Sequence, residues 1–324
     1  MKNTFFIVLA VLLFSMPARS QDFSSVDQTV RAYSKSFSKP EELASKITAD
    51  FRREDEKARA IFTWIALNIN YDLKSYYAQS GTRRVAYSFR TQAEKFEKEK
   101  QFRYELARKT LKSKKGVCEG YATLFSEVAG LVGLESVIVP GTSKAHPSQI
   151  GKLPGASDHA WNAVKIDGQW KLVDATWASG AMNTTTKTFV SKFNDGYFCT
   201  APELFFLNHF PDDTRWLLTD LTAKDFAALP LYYGNYLTSG YTFLSPGIGI
   251  FTNSKSNVIP FRIQNLGNND VVSYQFSRKN QSKEVVPVRN GNLSQFDIVM
   301  DNNSNGYLTI FVNQKSVVTY KIQR

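Results

Sequence analysis

The Asp167-Gly168 dipeptide constrains this chain most, because it sits between two β-prone runs, residues 160–166 and 169–175. Asp-Gly between such runs is a strong local signal for a tight β-hairpin. A two-residue turn there pairs Ile166 with Gln169, so the numbers of paired residues sum to 335. Trp161 is then expected opposite Asp174, and His159 opposite Thr176. Opposed residues share a face, and so do residues two apart on one strand. His159 and Asp174 become diagonal neighbours, roughly 7 Å apart along the backbone and within side-chain reach. A four-residue loop keeps this register, whereas a three-residue loop would put the two residues on opposite faces.

The flanking segments supply helices and further strands. Ala58, Ile61, Phe62, Ile65 and Ile69 recur at three- and four-residue spacing, with Asp55 and Glu56 in the first turn, so a helix is expected over 55–69. A shorter helix is expected around residues 40–43. The charged stretch 88–113, with Glu and Lys interleaved, reads as a solvated helix. A further helix begins at Cys118, with Ala122, Phe125, Ala129 and Val132 as its apolar stripe. Residues 137–139 read as a strand closed by Pro140-Gly141, residues 142–157 as a loop, and residues 202–210 as a helix. Beyond Gly240 the pattern changes to short β-prone runs, 261–263, 271–276, 285–288, 296–300, 307–312 and 317–322, separated by turn residues. Such spacing predicts a small β-sandwich of roughly 80–90 residues. The expected layout is α+β, with a helical and sheet-bearing unit over 21–235 and an all-β unit over 236–324.

The first 20 residues have the pattern of a secretory signal: Lys2, an unbroken apolar run from Phe5 to Phe14, and Ala18-Arg19-Ser20 before a cleavage point at Gln21. That run is too short to span a membrane, and no later stretch is long enough. A secreted or periplasmic location is therefore expected. Without Lys2 and Arg19 the formal charge falls from +11 to +9. The surplus suits an acidic partner, such as an anionic cell envelope or an acidic protein, and no nucleic-acid motif accompanies it.

With only two Cys and three His in the chain, few catalytic pairings are open. Cys118 stands at a helix start, where free backbone N–H groups favour a thiolate and can hold an oxyanion. With His159 as base and Asp174 orienting it, the set is the one needed to activate a sulfur nucleophile. A Cys118–Cys199 disulfide would silence that nucleophile, and Cys199 is better read as a small buried residue. His146 and His209 are read as structural or rim residues. No Cys-x-x-Cys or His-x-x-x-His spacing calls for a metal, and no cofactor motif is evident. Trp161, Trp170, Trp177, Tyr121 and Phe125 are read as core.

Three boxes carry a resemblance: Gly116-Val117-Cys118-Glu119-Gly120-Tyr121-Ala122, His159-Ala160-Trp161-Asn162 and Val173-Asp174-Ala175-Thr176-Trp177. Together with Ala58-Arg59-Ala60-Ile61-Phe62-Thr63-Trp64-Ile65 before them and His209-Phe210-Pro211-Asp212 after, they resemble the transglutaminase-like superfamily, in its kyphoscoliosis-type peptidase branch, over about residues 50–220. The resemblance implies a papain-like α+β fold, a nucleophile helix carrying Cys118 packed on an antiparallel sheet carrying His159 and Asp174. It also implies thiol acyl transfer on protein or peptide amides, as peptidase, deamidase or transglutaminase. The tryptophan that helps form the oxyanion hole in animal transglutaminases has no match. The alternative is an exported adaptor that binds protein or polymer through the same groove without chemistry.

Overall fold

A computed structural model describes residues 22–78, 88–183, 186–252, 257–279 and 281–323. The expected signal segment, 1–20, lies outside the described residues. Among the described residues no helix is long and apolar enough to cross a membrane.

The first half is built on a five-stranded antiparallel sheet. Its spatial order is Phe198–Thr200, Gln169–Val173, His159–Ile166, Ser136–Ser143 and His209–Pro211. The central hairpin has the expected register, from Ile166↔Gln169 through Asn162↔Val173. Pairing stops there. Asp174 caps a five-residue helix, Ala175–Ser179, so the Trp161–Asp174 and His159–Thr176 pairs do not form. The helix Cys118–Leu131 packs on this sheet, and the helix Glu54–Asn68 packs in turn against it, close to the expected bounds. Trp64, Phe62, Ile61, Tyr121, Phe125 and Trp161 fill the shared core, each at most 1% exposed. The charged segment forms the 22-residue helix Gln92–Ser113, mostly solvated, with only Ala107, Thr110 and Leu111 buried.

Two elements differ from expectation in ways that shape the site. The strand expected at 137–139 does not close at Pro140-Gly141 but runs from Ser136 on to Ser143. The Pro140 carbonyl accepts from Asp212 N–H on the side of the short 209–211 strand. A strand residue's N–H and C=O point the same way, so the missing proline N–H removes no bond to the central strand. The expected 202–210 helix is also shorter. Only Pro202–Phe205 is helical, and His209–Pro211 is a strand pairing with Gly141–Ser143.

From Tyr232 onward a second core forms between two sheets. One holds Lys315–Ile322 and Gly306–Val312 at its centre; the other holds Val258–Gln264 beside Leu293–Val299. Phe261 of one sheet meets Tyr320 of the other at 5.6 Å between ring centroids. The expected single strand at 285–288 is two strands, Lys283–Val285 in the first sheet and Val288–Asn290 in the second. Pro287, which cannot donate a ladder bond, stands where the chain changes sheets. The fold is thus an α+β core followed by a β-sheet sandwich.

Candidate active site

Cys118 is the first residue of its helix, preceded by Val117, whose side chain makes no capping bond. Gly120 N–H bonds the Val117 carbonyl at 2.9 Å, which leaves the Cys118 and Glu119 N–H groups of that first turn without intrahelical acceptors. The approach to the helix is fixed by a short parallel pairing of Asn70–Tyr71 with Lys115–Gly116. A Cβ on Gly120 would lie 2.7 Å from Thr110 Oγ1, so the Cys118–Leu131 helix can press against the Gln92–Ser113 helix this closely only with glycine there. Behind Cys118, buried Asn162 donates from Nδ2 to the Ala122 carbonyl at 3.0 Å, fastening the helix to the central strand. Tyr121 donates its phenol to the Ile69 carbonyl at 2.6 Å.

His159 opens the central strand and is 8% exposed. Its Nε2 lies 2.8 Å from Asp174 Oδ2. Burial alone would pull the His159 pKa down. The charge of Asp174 and the hydrogen bond to it, with a smaller contribution from the Cys118 side chain as hydrogen-bond partner, outweigh burial and hold the ring above its ordinary value. Asp174 occupies Nε2, which leaves Nδ1 as the ring nitrogen outside that bond.

Asp174 is 1% exposed and divides its two oxygens. Oδ1 accepts from Thr176 N–H at 2.8 Å and Trp177 N–H at 3.0 Å, capping the short helix. Oδ2 receives His159 and also His209 Nε2, at 3.0 Å. Burial would raise the Asp174 pKa, but His159 and then His209 more than reverse this, so the carboxyl is held well below its usual range. Asp174 thus caps the short helix through Oδ1 and bonds both imidazoles through Oδ2.

His209, read from sequence as structural or rim, is fully buried within this cluster and stacks on Phe205 at 4.0 Å between centroids. No local pattern marks it. Its place comes from the Ser143↔His209 pairing, while Gly141, two residues away, pairs with His159 on the other side. Trp161 and Trp177 flank both imidazoles, with centroids 4.7–6.0 Å away. His146 is elsewhere, capping the short helix Pro147–Gln149.

Both cysteines are free thiols. Cys199 packs against the first core, and burial pushes its pKa up to about 12. Among the described residues, His159, Asp174 and His209 are the grouping with metal-ligand chemistry, their donor atoms within 4.8 Å of one another. Hydrogen bonding already accounts for that proximity, since both Asp174 oxygens are engaged by N–H groups and ring nitrogens.

Residues 77–175, which include Cys118, His159 and Asp174 but end before His209, match the family model described as "Transglutaminase-like superfamily". Kyphoscoliosis peptidase from Mus musculus is 38% identical over 178 residues, 55% of this chain and 24% of the relative. The Homo sapiens protein of that name is 37% identical over 179 residues, with the same coverage. The "Lim and transglutaminase domain protein ltd-1" of Caenorhabditis elegans is 25% identical over 241 residues, 68% of this chain and 30% of its own length. The chain spans about a quarter of the length of the kyphoscoliosis peptidases it matches. Residues 77–175 therefore match the transglutaminase-like superfamily, and 55% of the chain is similar to peptidases of the kyphoscoliosis type.

Proposed function

We propose that this protein is an exported thiol acyl-transfer enzyme acting on protein or peptide amides, with Cys118 as nucleophile, His159 as base and acid, and Asp174 as the carboxylate that orients His159. The observation that carries the reading is the ring of His159. One side meets a buried carboxylate at 2.8 Å, and the side chain of Cys118, at a helix start, adds to what holds the ring above its ordinary pKa. In this reading the Cys118 thiolate, paired with protonated His159, attacks an amide carbonyl. The Cys118 N–H supports the oxyanion, and His159 protonates the departing amine, leaving a thioester on Cys118. Water then gives cleavage or deamidation, and a second amine gives a cross-link. Asp174 stays ionised throughout, stabilising the imidazolium and fixing the tautomer.

Export is supported by Lys2, the Phe5–Phe14 run and Ala18-Arg19-Ser20, and an acidic envelope protein is a substrate consistent with the basic surplus. The catalytic unit is taken as residues 21–235 and the accessory β unit as 236–324. The test is mass spectrometry of protein substrates incubated with wild type and Cys118→Ala. Shortened peptides, a glutamine-to-glutamate mass shift or amine adducts, each lost in Cys118→Ala, support the reading and name the reaction. Identical spectra for the two proteins, with no acyl-enzyme trapped on Cys118, would leave the non-catalytic adaptor.

A further inference from the structure

Asp174 Oδ2 lies within hydrogen-bond distance of two buried imidazoles, but orienting His159 requires only one. The second ring, His209, is held with unusual completeness. It has no exposed side-chain surface, is stacked on Phe205, and has its backbone in register with Ser143. The preceding Asn208 side chain donates to the Lys144 carbonyl at 2.8 Å and the Tyr232 carbonyl at 2.9 Å, tying this strand to the start of the second core. Both nitrogens of His209 face acceptors: Asp174 Oδ2 at 3.0 Å and the Phe205 carbonyl at 3.2 Å from Nδ1. Burial lowers the His209 pKa, and the positive charge that His159 carries opposes a second one beside it. The ring is therefore neutral with one N–H to place. A bond to a carboxylate is stronger than one to a neutral carbonyl, so the proton belongs on Nε2. The titratable groups around the ring are Asp174, His159 and Tyr197, with Cys118 behind His159.

We propose that His209 is a positioning residue of the catalytic site: its Nε2–H donates to Asp174 Oδ2, fixes that oxygen in front of His159, and weakens the hold of Asp174 on the His159 proton. The inference rests on the proposed roles of Cys118, His159 and Asp174. A carboxylate that accepts a second hydrogen bond is a weaker base and a weaker partner for an imidazolium. His209 thus keeps the His159 proton transferable to a leaving amine instead of locked to Asp174, which the proposed reaction needs.

The experiment is ¹⁵N NMR of the histidine rings, on wild type and on His209→Gln and His209→Phe. In wild type, His209 Nε2 is expected to carry the proton and Nδ1 to lack it. In His209→Phe, the His159 titration is expected to move up by roughly one pH unit, the size of a lost hydrogen bond to a charged group. His209→Gln, whose amide can still donate, is expected to keep it near the wild-type value. An unprotonated Nε2 in wild type overturns the proposal, whether or not the variants fold. So does a His159 titration that both variants leave in place or shift equally. Iodoacetamide labelling of wild-type Cys118 separates the two failures: an inert Cys118 counts against the catalytic reading, whereas a reactive Cys118 with an unshifted His159 counts against His209 alone.

Discussion

Replacing Asp174 with Asn separates the chemistry of this site from its stability. The carboxamide oxygen can occupy the Oδ1 position and keep both capping bonds, from Thr176 and Trp177 N–H. The amide nitrogen then takes the Oδ2 position, and its two N–H groups face His159 Nε2 and His209 Nε2. Both rings can accept by changing tautomer. His209 then donates from Nδ1 to the Phe205 carbonyl, 3.2 Å away. The number of hydrogen bonds is preserved and no charge is stranded, so the loss of stability is expected to stay below about 2 kcal/mol. Asp174→Ala instead abandons the cap and leaves the Nε2 atoms of two buried rings without their carboxylate, at a cost of about 3–5 kcal/mol. The chemistry behaves in the opposite way. With its proton moved to Nδ1, His159 can no longer accept one from Cys118, and the imidazolium loses its counter-charge. By comparison with other triads, a wrong tautomer costs about 10⁴-fold in rate, equivalent to about 5 kcal/mol. Denaturant midpoints and the rate of Cys118 alkylation at neutral pH measure the two quantities separately. If Asp174→Asn proves as destabilising as Asp174→Ala, or alkylates within tenfold of wild type, the division of labour between the two carboxylate oxygens is wrong.

Two further perturbations test the surroundings. In Gly141→Ala, the new Cβ would lie 2.3 Å from the Phe210 carbonyl oxygen, 2.5 Å from Trp161 Cη2 and 2.8 Å from Pro211 Cα. Neither backbone nor buried indole can retreat cheaply, so a loss of about 1–3 kcal/mol in a denaturant titration is expected, with slower alkylation of Cys118 as the two histidine strands separate. An unchanged midpoint would show that the strands are not held this tightly. Lys144 is fully buried, donates from Nζ to the Phe226 and Leu229 carbonyls, and has its pKa lowered by burial to about 7. Between pH 7 and 10.5 the unfolded chain binds a proton at this residue that the native state has released, so wild-type stability gains up to about 1.4 kcal/mol per pH unit from it. Lys144→Met should lack that gain; parallel stability–pH curves for the two proteins over this range would refute it.

The legible parts of the molecule were those set by short-range chemistry. Asp167-Gly168 gave the register of the central hairpin, because turn length determines the pairing, but not where the pairing stops, at Asn162↔Val173. The Cys118 helix and the 54–68 helix were legible because their apolar faces repeat with the helical period. His209 was not, since its three-residue strand exists only through pairing with Ser143, more than sixty residues earlier in the chain. The apolar run Leu204-Phe205-Phe206-Leu207 after Pro202 suits a helix or a strand equally well. Pro140 misled for a related reason: which side of a strand needs its N–H depends on neighbours that the local sequence does not name. The missed histidine shares a carboxylate oxygen with the one that was found, so long-range pairing set the limit within the site itself.

The most direct test of the central claim is the site and rate of alkylation by iodoacetamide near pH 6.5, mapped by peptide mass spectrometry after removal of reductant. Cys199 is the internal control, because burial holds its thiol protonated. The account predicts rapid labelling at Cys118 with Cys199 untouched, and loss of that preference in His159→Ala. Labelling of Cys118 no faster than of Cys199, or labelling unaffected by His159→Ala, would contradict it.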